Sequence, residues 1–146
     1  EQNQNKLPGS LLFVCSLNAV RSPMAEAITK KLYGTRIFID SVGIREDLDE
    51  VNPFAVSVLE EIDVDLSNHV PKNFETLTDT SFDLVITLSP EAHHRALDLT
   101  RFFSTDVEYW PTMDPTSITG NRENIMASFR EVRDYLTEKI KNRLGG

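Results

Sequence analysis

Cys15 and Arg21 are the two residues whose types and spacing most clearly permit covalent chemistry. Cys15 is the only cysteine in the 146-residue chain, and Arg21 follows it six positions later. A cysteine thiolate is a strong nucleophile, and a neighbouring guanidinium stabilises its charge and can bind two oxygens of an anion at once. The pair therefore predicts a nucleophile beside a binding site for an oxyanion the size of phosphate.

The residues around this pair predict a loop between a buried strand and a helix. Leu11 to Val14 is a short apolar run, typical of a strand buried on both faces of a parallel sheet. Ser22 and Pro23 are typical of a helix N-cap and a first-turn proline. The loop should therefore turn its backbone N–H groups towards one point and form an anion-binding nest. The residues expected to bind phosphate or support this loop are Ser16, Leu17, Asn18, Ala19 and Val20.

Strand and helix patterns alternate along the rest of the chain. Further strands are predicted over 37–41, 82–88 and 107–110, and helices over 24–33, from Asn52, from Ser89 and from Asn121, with a short helix near 73–77. This alternation predicts an α/β fold: an open three-layer sandwich around a four-stranded parallel sheet wound in the flavodoxin-like order. The loop that carries Cys15 would then lie at the switch point of the sheet, where such folds bind ligands.

Composition narrows the classes of function. The net charge of −8 and the pI near 4.8 argue against nucleic acid or an anionic membrane as partner, because both select basic surfaces. The sequence contains no transmembrane-length apolar run, no signal-peptide pattern and no Cys/His cluster with metal-site spacing, so a cytoplasmic protein without metal or cofactor is expected. We expect a flexible leader over 1–10, one catalytic domain over 11–146, and a solvated acidic loop over 42–51.

Asp114 is the candidate acid. It precedes Pro115 in a turn-rich segment, and an Asp-Pro pair by itself is typical of a turn. Its position after the last predicted strand puts it at the same edge of the sheet as Cys15. That placement favours a general acid over a turn residue alone.

The run from Phe13 to Ala27, Phe-Val-Cys-Ser-Leu-Asn-Ala-Val-Arg-Ser-Pro-Met-Ala-Glu-Ala, resembles the signature of the low-molecular-weight protein tyrosine phosphatases. That family shares its fold with the thioredoxin-coupled arsenate reductases, and the resemblance extends from about Leu11 to Leu144. It implies the low-molecular-weight phosphatase fold and hydrolysis of phosphate monoesters through a cysteinyl phosphate. The implied substrates are phosphorylated proteins or small aryl phosphates, and the implied ligands are inorganic oxyanions: phosphate and, as a further candidate, arsenate.

The resemblance also implies roles for individual residues. Cys15 matches the nucleophile, Arg21 the phosphate clamp, and Asp114 the acid that protonates the leaving oxygen and later activates water. Four other residues match groups that support the loop or the thiolate. They are Asn18, which holds the backbone shape of the loop, Ser22, which hydrogen-bonds the thiolate, Ser41, which buttresses the loop, and His69, which belongs to the same network.

This chain departs from the family pattern at three places. Leu17 stands where the family usually has glycine, and Val20 where it often has a second cysteine that protects the nucleophile by forming a disulfide. Thr116 and Ser117 follow Asp114-Pro115, where phosphotyrosine-specific members carry aromatic residues. The resemblance therefore leaves the substrate open.

Two other functions are also compatible with these residues. The closing segment, with Asp114-Pro115, Gly120, Phe129 and 132–134, also resembles arsenate reductases. The thioredoxin-coupled enzymes need a triad of cysteines, so only a version that uses an external low-molecular-weight thiol is compatible with one cysteine. The second alternative is a non-catalytic module that binds phosphate or phosphopeptides, and the oligomeric state stays open.

Overall fold

Four strands form a parallel sheet in the described part of the chain. The computed structural model describes residues 7–45, 50–74, 81–101 and 104–145. The strands run in the order β2-β1-β3-β4, and all three neighbouring pairs are parallel. Their bounds are Ser10–Cys15 for β1, Phe38–Gly43 for β2, Leu84–Thr87 for β3 and Asp106–Tyr109 for β4. The predicted α/β fold and its flavodoxin-like order are confirmed.

Four α-helices connect or follow these strands in the described part of the chain: α1 (Arg21–Tyr33), α2 (Pro53–Glu60), α3 (Pro90–Thr100) and α4 (Arg122–Leu144). The side chains of Asn52, Ser89 and Asn121 each accept a hydrogen bond from a backbone N–H in the first turn of α2, α3 and α4 respectively. These three predicted N-caps are confirmed, because an Asn or Ser oxygen satisfies an N–H that the helix itself leaves unpaired. Within the described ranges, none of the helices combines the length and hydropathy needed to cross a bilayer.

The helices cover both faces of the sheet. Leu11 and Phe13 of β1 belong to a core cluster that also contains buried residues of α1, α2 and α4. Leu12 and Val14, which point the other way, pack in a second cluster with residues of α3. Because side chains alternate along a strand, β1 contributes to both cores, and the three-layer arrangement follows.

The start of α1 differs from the prediction. Ser22 is not the N-cap: α1 begins at Arg21, Val20 occupies the cap position, and no side chain caps this helix. Ser22 is fully buried, and its hydroxyl contacts Cys15 and Asn18 instead of the first-turn N–H groups. The serine that the pattern assigned to helix capping is therefore part of the loop.

Several predicted boundaries also move. Ser10 belongs to β1, where it pairs with Phe38, so the predicted leader ends before it. Residues 1–6 and 46–49 lie outside the described residues, and with them most of the leader and the centre of the acidic loop. The short helix predicted near 73–77 lies largely outside as well. Asn73, which is described, forms an isolated parallel bridge with Gly43.

Candidate active site

A cavity of about 100 Å³ opens at the carboxyl end of β1. Its lining residues come from the loop after β1, from the segments after β2 and before α2, and from the segment after β4. They are Cys15, Ser16, Leu17, Ala19, Val20, Arg21, Arg45, Asn52, Asp114 and Thr116.

The thiol of Cys15 has two potential hydrogen-bond donors beside it. The Ser22 hydroxyl oxygen lies 2.9 Å from Sγ, and the backbone N–H of Asn18 donates to Sγ over 3.3 Å. The Ser22 hydroxyl accepts a hydrogen bond from the side-chain amide of Asn18 at 2.8 Å. Its own proton is therefore available to the sulfur of Cys15 or to the Val42 carbonyl, which lies 3.3 Å away. When Cys15 is ionised, both donors stabilise the thiolate, which is the reactive form.

Arg21 is held at the first residue of α1. Its guanidinium is buried, and Nη1 donates to the Thr112 carbonyl over 3.0 Å. Because this bond orients the planar group while it lines the cavity, the other N–H groups can donate to an anion bound there. The position at the helix start adds the positive end of the helix dipole to the charge of the side chain.

One carboxylate oxygen of Asp114 accepts hydrogen bonds within its own turn, and the other lies near Arg21 at the cavity. Oδ1 accepts hydrogen bonds from the Thr116 backbone N–H at 3.0 Å and from the Thr116 hydroxyl at 2.6 Å. Oδ2 lies 4.0 Å from Nη2 of Arg21, and 47% of the side chain is exposed. A carboxyl group whose second oxygen faces the anion site can carry a proton to or from a reacting group there. Thr116, at a departure from the family pattern, therefore fixes the orientation of Asp114.

The loop is shaped from below by Asn18. Its φ of +58° lies in the left-handed region, which asparagine tolerates better than most residues. Its side-chain oxygen Oδ1 accepts a hydrogen bond from the backbone N–H of Lys72 and lies 2.9 Å from His69 Nε2; the Lys72 bond is also 2.9 Å long. Its side-chain nitrogen Nδ2 donates to the Ser22 hydroxyl at 2.8 Å and to the Ser41 hydroxyl at 3.0 Å. The buried side chain of Asn18 thus connects the loop to β2, to α1 and to the segment that contains His69 and Lys72.

His69 and Glu26 complete this polar cluster. Lys72 fixes the oxygen end of the Asn18 amide, so His69 Nε2 is the donor in their shared bond. Burial lowers the pKa of His69 below its ordinary value, against the opposing effect of the Glu26 carboxylate 4.0 Å from Nδ1. Glu26 accepts a hydrogen bond from the Ser41 hydroxyl and forms an ion pair with Lys30 at 2.6 Å. It lies within the signature run, but the sequence analysis assigned it no role.

Gly43 is a second residue that the sequence analysis missed. It ends β2 directly against the loop, and a Cβ there would lie 2.6 Å from the backbone carbon of Leu17 and 2.7 Å from the Asn18 nitrogen. Only glycine permits this approach. The signal was present in the run Asp-Ser-Val-Gly, of which only Ser41 was singled out.

Replacing Gly43 by alanine is expected to displace the loop. It should lower kcat/KM for an aryl phosphate, a substrate that the resemblance implies, by about 10- to 100-fold, because small misplacements at a reacting centre are costly. Steady-state kinetics on the folded variant measures this. Gly34→Ala is the matched control: Gly34 has a φ of +62° but open space around it, and it lies outside the cavity. That control should lower the melting temperature and leave kcat/KM unchanged. Equal kinetic effects in both variants would contradict the role given to Gly43.

All the predicted site residues lie in two adjoining places. Cys15, Arg21 and Asp114 share the cavity with the other loop residues, and Asn18, Ser22, Ser41 and His69 form the polar cluster beneath it. Leu17 fits without backbone strain, because Asn18 is the loop residue with positive φ. Their chemical roles stay predictions. A cysteine and an arginine on one loop at the switch point of a parallel sheet, with an aspartate opposite, define the class of cysteine-dependent phosphatases and their relatives.

Comparison with known proteins places the chain within this class. Residues 10–144 match the family model of the low molecular weight phosphotyrosine protein phosphatases, and the chain belongs to that family. It is 33% identical over 133 residues to an arsenate reductase of Halalkalibacterium halodurans, covering 90% of this chain and 91% of the relative. The chain is thus an enzyme of the low-molecular-weight phosphatase kind.

Solved structures agree on the fold. An arsenate reductase in its oxidised state superposes with a TM-score of 0.75 at 26% identity, covering 93% of this chain and 96% of that one. The tyrosine phosphatase AmsI of Erwinia amylovora superposes with a TM-score of 0.77 at 19% identity, covering 97% and 94%. The same fold is therefore shared by a protein named as a tyrosine phosphatase and by one named as an arsenate reductase.

Proposed function

We propose that this protein hydrolyses phosphate monoesters through a covalent phosphate on Cys15. One observation carries the proposal: Cys15, Arg21 and Asp114 line a single cavity of about 100 Å³, with the Ser22 hydroxyl against the sulfur. The substrates would be phosphorylated proteins or small aryl phosphates. The expected cytoplasmic location remains a prediction.

In the first half of the proposed reaction, the Cys15 thiolate attacks phosphorus in line with the ester oxygen. The P–O bond to the leaving group breaks as the S–P bond forms, and protonated Asp114 gives its proton to the leaving oxygen. Arg21 and the loop N–H groups bind the three equatorial oxygens, where charge is spread in the transition state. The products are a free alcohol or phenol and cysteinyl phosphate.

In the second half, water replaces the departed group. Asp114, now ionised, takes a proton from this water as its oxygen attacks phosphorus, and the S–P bond breaks. The Ser22 hydroxyl, 2.9 Å from the sulfur, and the Asn18 N–H stabilise the thiolate that leaves. Inorganic phosphate then departs, and Asp114 is again protonated for the next cycle.

The described part of the cavity mouth offers no ring-stacking contact to an aromatic alcohol. Its described lining holds no aromatic residue, and an aryl group leaving the cavity would lie against Leu17 and Thr116. Such a surface offers apolar contact without the ring stacking that aromatic residues provide. The proposal is therefore phosphate monoester hydrolysis in general, with phosphotyrosine as one candidate substrate.

Arsenate reduction with an external thiol is the second candidate, favoured by relatives named arsenate reductase at 30 to 33% identity. Cys15 would form an S–As bond to arsenate with loss of water. A thiol RSH would then attack the sulfur, releasing arsenite and leaving a Cys15–S–S–R disulfide, and a second RSH would restore Cys15 and form RSSR. The external thiol supplies both electrons, because the chain has no other cysteine.

One sample assayed in two ways separates these candidates. We expect the purified protein to release phosphate from 4-nitrophenyl phosphate, and to consume no arsenate with glutathione, mycothiol or glutaredoxin. Thiol-dependent arsenite formation without phosphate release would replace the first candidate by the second. Tight binding of phosphate with neither activity would instead support the non-catalytic module.

A further inference from the structure

We infer that Arg45 binds a second anionic group of the substrate, beside the phosphate that Arg21 holds, so that the enzyme prefers phosphate monoesters carrying a nearby carboxylate or phosphate. This inference rests on the proposed hydrolysis and extends it to the substrate class. Arg45 lines the same cavity as Cys15 and Asp114, which makes it a second arginine at the oxyanion site. In the proposed reaction Arg21 and the loop N–H groups bind the oxygens of the reacting phosphate, so the charge of Arg45 is left for another group.

The backbone of Arg45 is fixed to the loop. Its N–H donates to the Ser16 carbonyl over 2.9 Å, and the N–H of Ile44 donates to the Cys15 carbonyl over 3.1 Å and to the Ser16 carbonyl over 2.9 Å. The side chain therefore extends from a point with a constant position relative to the nucleophile, while half of it remains exposed (51%). Because its backbone is fixed, the guanidinium can reach only those substrate groups that lie close to the phosphate site.

Glu91 provides the present counter-ion and is easily displaced. Its Oε1 lies 3.2 Å from Nη2 of Arg45, and both side chains are half exposed. Exposed pairs of this kind contribute little, since water solvates both partners well. Glu91 also keeps other favourable partners without Arg45: the Ser16 hydroxyl at 3.2 Å and the first turn of α3, where the helix dipole favours negative charge. An incoming anion can therefore exchange with Glu91 on Arg45.

The alternative is a purely structural pair that holds the segment after β2 against α3. In that case removal of either partner would affect all substrates alike. If Arg45 instead recognises charge, its removal penalises only substrates that carry a second anionic group, and removal of the Glu91 charge improves the same substrates.

The test uses two aryl phosphates of nearly the same shape, one with an added charge and one without, 3-carboxyphenyl phosphate and 3-carbamoylphenyl phosphate. Each variant is compared with the wild type by the ratio of the two kcat/KM values, so the difference in leaving-group acidity cancels. We expect the wild-type enzyme to have the higher kcat/KM on the carboxylate. In Arg45→Ala the ratio of the two kcat/KM values should fall by about 5- to 10-fold, mainly through KM, with Arg45→Lys in between. Glu91→Gln, which keeps an acceptor for Ser16, should raise the ratio.

A diphosphorylated ring compared with its monophosphate determines whether a second phosphate serves as well as the carboxylate. Unchanged ratios in both variants, or a fall of the ratio in Glu91→Gln, would overturn the inference and leave the proposed hydrolysis standing. Failure of the wild-type enzyme to hydrolyse either aryl phosphate would overturn both.

Discussion

Cys15→Ser is expected to abolish phosphate release, with a loss of at least about 10⁴-fold in kcat, because a serine hydroxyl stays un-ionised where a cysteine supplies a thiolate. The substitution is nearly isosteric. The new hydroxyl still meets the Ser22 oxygen and the Asn18 N–H, which lie 2.9 and 3.3 Å from the sulfur. Arg21 and the loop backbone are untouched. Release of phosphate from 4-nitrophenyl phosphate measures the effect.

Phosphate binding is the control for this variant. Inorganic phosphate should raise the melting temperature of Cys15→Ser and wild type by similar amounts, since the anion site is intact in both. If the variant is inactive and phosphate no longer raises its melting temperature, the loop has lost its structure, and the inactivity is then not evidence that Cys15 is the nucleophile. Activity near the wild-type level would exclude Cys15 as the attacking group.

Asp114→Asn is expected to lower kcat/KM by about 10²- to 10⁴-fold on phosphates of poor leaving groups, the usual contribution of a positioned acid. Asparagine keeps the oxygen that Thr116 binds, so the turn is preserved while the proton donor is lost. The effect should shrink as the leaving group becomes more acidic, because a stable phenolate needs no proton. A series of substituted phenyl phosphates measures this dependence.

Asp65→Asn provides a matched control. Asp65 caps a turn in the same way, with Oδ1 accepting from the Ser67 N–H at 2.9 Å and from its hydroxyl at 2.6 Å, but it does not line the cavity of Cys15. Its replacement should leave kcat/KM unchanged on every substrate of the series. A loss in Asp114→Asn that is the same for good and poor leaving groups would contradict the role of general acid.

The sequence patterns predicted the elements well where local chemistry defines them. Asn52, Ser89 and Asn121 cap their helices because a side-chain oxygen needs only its own next turn as partner. Ser22 fitted the same pattern but was wrongly assigned, because its hydroxyl is bound by Asn18 and Cys15. Here the tertiary partners of the loop replaced the local preference.

Strand ends were less predictable for a related reason. Phe82 and Leu88 are buried apolar residues that lie outside β3, since an apolar run reports burial and not the extent of ladder pairing. Leu32 matches the apolar spacing of α1 and is nevertheless 37% exposed. Ile62 continues the apolar spacing of α2, but it lies two residues beyond the end of that helix and is 36% exposed. Periodicity identifies a helix face, while the neighbouring elements decide how much of it they cover.

The residues of the candidate site also differ in whether the sequence alone can predict them. Cys15 and Arg21 could be found because they lie on one loop, and the resemblance supplied Ser41 and His69. Gly43 and Thr112 act through contacts with the loop across 25 residues or more, one through a missing Cβ and one through a carbonyl that any residue could offer. No single-sequence pattern encodes such contacts.

A covalent phosphate on Cys15 is the central claim, and trapping it tests that claim most directly. In Asp114→Asn mixed with 4-nitrophenyl phosphate, the good leaving group departs without an acid, while attack of water lacks its base, so the intermediate should accumulate. Acid quenching within the first turnover, proteolysis and mass spectrometry should then find one phosphoryl group on the peptide that contains Cys15. Release of nitrophenol with no phosphoryl group on Cys15, or with the group on another residue, would contradict the account.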